Sequence, residues 1–222
     1  MKTIPKLLTL LAVSGLIVSP VALAGGSQKS EAPVFWTYEL GEPMPMPVGT
    51  SKVVRTKHGI SAQIKTTGLT PGHAMTMWII FFNYPQHCKV KWMCNPDDDG
   101  GNPLVGFDFH YAAGHVVNGN KTTLSGHLQL GETSTSGLAD AFGAPPVALL
   151  NPFGAQVALA VHSHGPAQTG QTLKEQMSSF TGGCVYYLPV IGGLAQTTDD
   201  IPDQVGECAT HQLAPHPTPA SP

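Results

Sequence analysis

Hydrophobic side chains recur along much of this chain with a period of two, the spacing of strands that bury one face. In TTLSGHLQLG, Leu124, Leu128 and Leu130 fall on one side and Thr123, Ser125, His127 and Gln129 on the other. AQVALAVHSHG repeats the pattern, with Val157, Leu159 and Val161 inward and Gln156, Ala158, Ala160, His162 and His164 opposite. KVVRTKHGISAQIKTTGL alternates through Ile60, Ala62 and Ile64 and runs into a turn at GLTPG, Gly68 to Gly72. HAMTMWIIFFN breaks the alternation: it is apolar on both faces from Met75 to Phe82, the signature of a central strand buried between two layers. VFWTYEL (34–40) reads as an edge strand and CVYYLPV (184–190) as a last strand. A single helix is signalled, by the capping box Thr172 and Glu175, the shared face of Leu173, Met177 and Phe180, and the stop at Gly182 and Gly183.

Short strands between turn signals, with one short helix, predict a mainly β chain: an antiparallel, Greek-key-like β-sandwich with the helix or long loops over an end or an edge. At the N-terminus Lys2 and Lys6, the apolar run Leu7 to Val18 and the small residues around Ala22 and Ala24 form a secretory signal over residues 1–24. A polar leader and the proline-punctuated GEPMPMPVG loop fill 25–50. The sandwich domain is expected over 51–208 and a disordered tail, HQLAPHPTPASP, over 209–222. After the signal no apolar run approaches the roughly 18 residues a transmembrane helix needs, so the mature chain is expected to be secreted or periplasmic.

Composition narrows the partners. The 11 basic side chains, less Lys2 and Lys6, leave nine against 14 acidic ones, and no Lys/Arg cluster stands out to neutralise a nucleic acid. An unidentified extracellular or envelope partner is the expectation. The 25 glycines and 20 prolines suit many turns. Cys88, Cys94, Cys184 and Cys208 form an even set that, in an exported chain, reads as disulfides. Three pairings are open; Cys88 with Cys94 and Cys184 with Cys208 is favoured because each closes a local loop.

GLTPGHAMTMWIIFFNYPQHC, VHSHGPAQTG and FTGGC together resemble a family of bacterial secreted proteins of unknown activity. The GLTPG turn is similar to turns in copper/zinc superoxide dismutases and CHRD-type domains, which implies an antiparallel sandwich. The dismutase likeness stops there, because MTMWI (75–79) stands where that family places its His-x-His copper ligands. HSHGP (162–166) resembles the HxHGP segment of CHRD-type domains, displaced along the chain.

Candidate chemistry centres on His162 and His164. Two apart on a strand, their side chains share a face roughly 6.5 Å apart, close enough to begin a zinc or copper site. His73, His110, His115 and His127 are the further imidazoles such a site would draw on. Asn95, Asp97 and Asp99 in CNPDDDGGNP occupy alternate positions of a calcium-loop pattern, but Gly106 stands where an EF-hand needs glutamate. No GxSxG occurs and the cysteines are spoken for, so nucleophilic catalysis has no obvious carrier. The expectation is a disulfide-stabilised binding or structural module without catalysis, and the alternative is a copper- or zinc-binding protein using the His-x-His pair.

Overall fold

The computed structural model describes residues 26–37, 45–134, 145–184, 186–188 and 205–218. The expected signal, residues 38–44 of the leader and of the expected edge strand, Val185 and residues 189–190 of the CVYYLPV segment, and residues 219–222 of the expected tail lie outside these. The alternating segments form β1 (Gln28–Trp36), β2 (Gly49–Thr56), β3 (Gly59–Thr67), β4 (His73–Phe82), β5 (Phe107–Val116), β6 (Lys121–Gln129) and β7 (Gln156–Pro166). They are followed by β8 (Tyr186–Leu188) and β9 (Glu207–His216). Two short α-helices, α1 (Pro96–Asp99) and α2 (Gly170–Gln176), and a 3-10 turn at Pro85–His87 complete the described elements.

The strands make one sheet in the order β5-β4-β7-β9-β1-β2-β3-β6. Every pair along that path is antiparallel, while β8 adds to β9 in parallel. The mainly β, antiparallel expectation holds. Two separate sandwich sheets are not seen, because β1 pairs with β2 from Gln28 to Val34 and with β9 at Phe35 and Trp36, joining both halves. The terminal strands of the order, β5 and β6, approach each other where Gly126 packs against the Ala112 backbone with no room for a Cβ, so the sheet is nearly closed and barrel-like.

Period-two burial explains what fills it. Met75, Met77, Ile79 and Phe81 of β4 meet Val157, Leu159 and Val161 of β7 and Val53, Ile60, Ile64, Leu124 and Leu128 across the barrel in one inner core. Their alternates Trp78, Ile80, Phe82, Ala158 and Ala160 form an outer cluster with Phe107, Phe109 and Phe180. This second layer is why all ten residues of β4 are buried.

Three expectations are corrected. The polar leader from Gln28 onward is β1, whose alternation (Ser30, Ala32 and Val34 on the more buried side) is masked by small and polar residues. The tail from residue 209 to His216 is not disordered but belongs to β9, a strand hydrogen-bonded on both sides; its inward Gln212 and His216 are polar, so hydropathy hides it. The helix begins at Gly170 with Thr169 as its N-terminal boundary, because the chain turns as soon as it leaves β7, and Thr172 lies inside it. It ends at Gln176, short of the expected stop at Gly182 and Gly183, so of the expected apolar face only Leu173 is helical; Met177 caps the helix and Phe180 is buried beyond it, while the residue α2 itself buries is Gln176. No helix among the described residues is long and apolar enough to cross a membrane.

Candidate functional site

On β7 the inward alternation of Val157, Leu159 and Val161 sends His162 and His164 to the opposite face, where the sheet neighbours of His162 are Thr76 on β4 and Thr210 on β9. That face is covered. After α2 the chain folds back and lays Phe180 on His162, ring centroids 4.1 Å apart and nearly parallel, with Trp78 edge-on to Phe180 at 5.2 Å. Tyr111 ties this cover to β5 by donating to the Met177 carbonyl at 2.6 Å. The two imidazoles are fully buried, with ring centroids 5.0 Å apart.

The protons of His164 follow from its partners. Trp78 Nε1–H can only donate, and it donates to Thr76 Oγ1 at 2.8 Å. The Gly182 carbonyl can only accept, so His164 carries its proton on Nδ1 and donates to it at 2.9 Å, which leaves a lone pair at Nε2 to accept from the Thr76 hydroxyl, 3.0 Å away. Burial lowers the pKa of His164 to about 4, against the pull of the Gly182 carbonyl. His162, whose Nδ1 lies 3.2 Å from Thr210 Oγ1, is pushed well below the ordinary histidine value by burial first and then by His164 and His211. Both are neutral at neutral pH, the state that ligates metals.

Both expected disulfides are present, Cys88–Cys94 and Cys184–Cys208. The second lies on the histidines: Cys184 Sγ and Cys208 Sγ are 3.7 and 3.8 Å from His164 Nδ1. One nitrogen from each imidazole and the two sulfurs all lie within 4.8 Å of one another. With the sulfurs bonded to each other they offer no thiolate, so the closed cluster presents imidazoles alone.

The other candidate ligands do not join this pair. His73 opens β4 and is buried, electrostatically close to His211. His110 lies 3.7 Å from Glu132, its pKa lowered chiefly by burial; His115, on the same strand, is half-buried. His127 sits on an exposed face, Nδ1 3.0 Å from Ser61 Oγ. In the calcium-like stretch, both carboxylate oxygens of Asp99 accept backbone N–H groups, from Lys89 at 2.6 Å and Asn95 at 2.8 Å, and Asp98 pairs with Lys89 at the surface. Asp99 thus braces the neighbouring loop, and no calcium-type oxygen cage forms around it among the described residues. The side chain of Asp97 lies outside them.

That loop is the second feature of note. Cys88–Cys94 closes a seven-residue loop whose Val90, Trp92 and Met93 are 54%, 45% and 71% exposed, with Leu104 at 64%. Trp92 holds a left-handed backbone, φ 67°, a conformation bulky residues adopt only when their surroundings impose it. Its N–H donates to Pro85 O at 3.0 Å. Gln156 of β7 clamps the loop's far end, accepting from Cys94 N at 3.0 Å and donating to Cys94 O at 3.1 Å.

Sequence reasoning did not bring Thr76, Phe180 and the Cys184–Cys208 sulfurs to the histidines. It also passed over His211, a buried bulge residue between β7 and β9 whose ring nitrogens have no hydrogen-bond partner and whose pKa burial lowers to about 3. No protein-family model, curated protein or solved structure matches this chain.

Proposed function

We propose that this chain is an exported binding module without catalysis of its own, and that it docks through the Cys88–Cys94 loop. The observation that carries this reading is the rigid display of Trp92 and Met93. A disulfide, the Asp99 carboxylate and the Gln156 clamp hold two large apolar side chains out in solvent on a strained turn. Exposed apolar anchors that are already ordered lose little conformational entropy on binding, which is how a few residues come to dominate an interface. Lys91 beside Trp92 suits a partner with an apolar pocket and an acidic rim. The test immobilises the mature protein and a Trp92→Ala/Met93→Ala variant and exposes both to the source organism's extracellular fraction. A protein retained by the first, lost from the second, and released by added wild type supports the reading; equal retention by two folded proteins removes it.

A second reading, metal binding, rests on the four ligand atoms gathered around His162 and His164. Transfer of two electrons and two protons from a dithiol to Cys184–Cys208 yields two thiols and a disulfide. A zinc or copper(I) ion would displace the two thiol protons, which pass to solvent, and complete a Cys2His2 donor set, for which tetrahedral coordination is usual. Ligation through His164 Nδ1 would need the other neutral tautomer, with the ring proton on Nε2 donating to Thr76 Oγ1 and the Gly182 hydrogen bond given up. Metal content by mass spectrometry, before and after reduction under argon, tests this: stoichiometric metal only after reduction, lost in His162→Ala/His164→Ala, is the expected result, and no uptake by either form sinks it.

A further inference from the structure

We propose that the barrel rim where β1, β2 and β9 meet is a binding site for a small carboxylate or oxyanion, gripped by the Nε–Nη2 edge of Arg55. Arg55 is the last residue but one of β2 and shares its inward face with Val53 and Ser51; all three are buried, Arg55 with no exposed surface. A guanidinium carries five N–H donors and keeps its charge throughout the physiological range. Burial lowers its pKa only to about 10.

The local hydrogen bonds can be traced proton by proton. Ser51 Oγ donates to the Ala32 carbonyl at 2.8 Å, so at 2.8 Å from His216 Nε2 it must accept. His216 therefore carries its proton on Nε2 and presents a lone pair at Nδ1, which accepts from Ser30 Oγ at 3.0 Å. Ser30 in turn accepts from Arg55 Nη1 at 2.9 Å. The chain runs from Arg55 to the Ala32 carbonyl and ends there, saturated, without a negative charge in it. Burial and the facing Arg55 charge lower the pKa of His216 to about 4, which keeps the ring neutral.

One Arg55 donor is thus satisfied while Nε and Nη2, both buried, have no partner. No acidic side chain among the described residues pairs with Arg55, and Gln28, its register partner on β1, has a buried Oε1 that is also without one. Leaving a cation buried without an anion is among the costliest arrangements in a protein interior. Nε–H and Nη2–H are the two parallel donors that match the two oxygens of a carboxylate, phosphate or sulfate. The site lies at strand ends, next to the first residue of β1 and the last of β9.

The test compares the full folded protein with Arg55→Lys, which keeps the charge but not the parallel fork, and Arg55→Met, which removes both. After dialysis into chloride-only buffer, each is titrated with acetate and with inorganic phosphate at constant ionic strength, reading uptake by equilibrium dialysis and Tm by calorimetry. Wild type is expected to take up one equivalent of one of these anions saturably with a rise in Tm, Arg55→Lys to bind at least tenfold more weakly, and Arg55→Met not at all. Tighter acetate binding names a carboxylate ligand, tighter phosphate binding an inorganic oxyanion or phosphate ester. Absence of uptake by wild type, or equal uptake by wild type and Arg55→Lys, overturns the proposal. Should Arg55→Met fail to fold, the other two proteins still decide it.

Discussion

His164 on β7 and His216 on β9 are buried, neutral imidazoles in the same sheet, each in a relay that ends on a backbone carbonyl, Gly182 for one and Ala32 for the other. They differ at the head of the relay. Trp78 begins the first with a single N–H, and that donor is used. Arg55 begins the second with a fork of donors, of which the relay absorbs one. The relay through His164 uses every donor at its head and the relay through His216 does not. Low dielectric makes a saturated network rigid and an unsaturated one costly, so similar chemistry stabilises one region and leaves the other calling for a ligand.

Acid should expose what the two share. The folded pKa values of His164, His216 and His211 lie at about 4, about 4 and about 3 against an ordinary 6.5. The unfolded state binds more protons in between, so their contribution is complete above pH 6.5 and is lost as pH falls from there through about 3. At 1.36 kcal/mol per pKa unit, His164 alone accounts for roughly 3 kcal/mol. Urea midpoints between pH 7.5 and 4 should fall steeply, and less so for His164→Gln; an unchanged slope in that variant would move the origin of the acid sensitivity elsewhere.

Disulfide removal should come next. The chain-entropy relation gives about 3 kcal/mol for Cys184→Ser/Cys208→Ser, which opens the longer loop, and about 2 kcal/mol for Cys88→Ser/Cys94→Ser. Calorimetry should show the first variant with the lower Tm, and the reverse order would mean that the surface loop, not the histidine cover, is the sheet's main staple. Thr76→Val deprives Trp78 Nε1 and His164 Nε2 of their shared hydroxyl and should cost about 1–3 kcal/mol in denaturant unfolding. Arg55→Met should cost least in chloride-only buffer, and is expected to equal or exceed wild type, because it removes an uncompensated charge. A loss comparable to that of Thr76→Val would show that the rim cluster is complete after all.

Strands with alternating or uniformly apolar sequences were readable from the chain: β4, β6 and β7 fall where hydropathy put them, except that Leu130, expected inward, lies just past β6 and is exposed, and local loop closure identified both disulfides. What escaped was polar on the inside. Ser30 on β1 and Gln212 and His216 on β9 face inward, so β1 and β9 looked like leader and tail. The His162–His164 pair was legible as two residues on one face, but not the cover of Phe180 and the Cys184–Cys208 bridge. That cover depends on the chain returning over β7 after α2, a tertiary event that no local spacing encodes.

The place of β9 bears on how the molecule assembles. The last strand in sequence is the seam between β7 and β1, and Ser30 near one end of the described chain hydrogen-bonds His216 near the other. Contacts of such sequence separation are slow to form, because nearly the whole chain must be gathered to make them. Until residues 207–216 have emerged, β1 and β7 each lack a neighbour, and a chain synthesised from its N-terminus remains an open, unfinished sheet. Joining the β7 and β1 halves of the sheet therefore waits for residues 207–216.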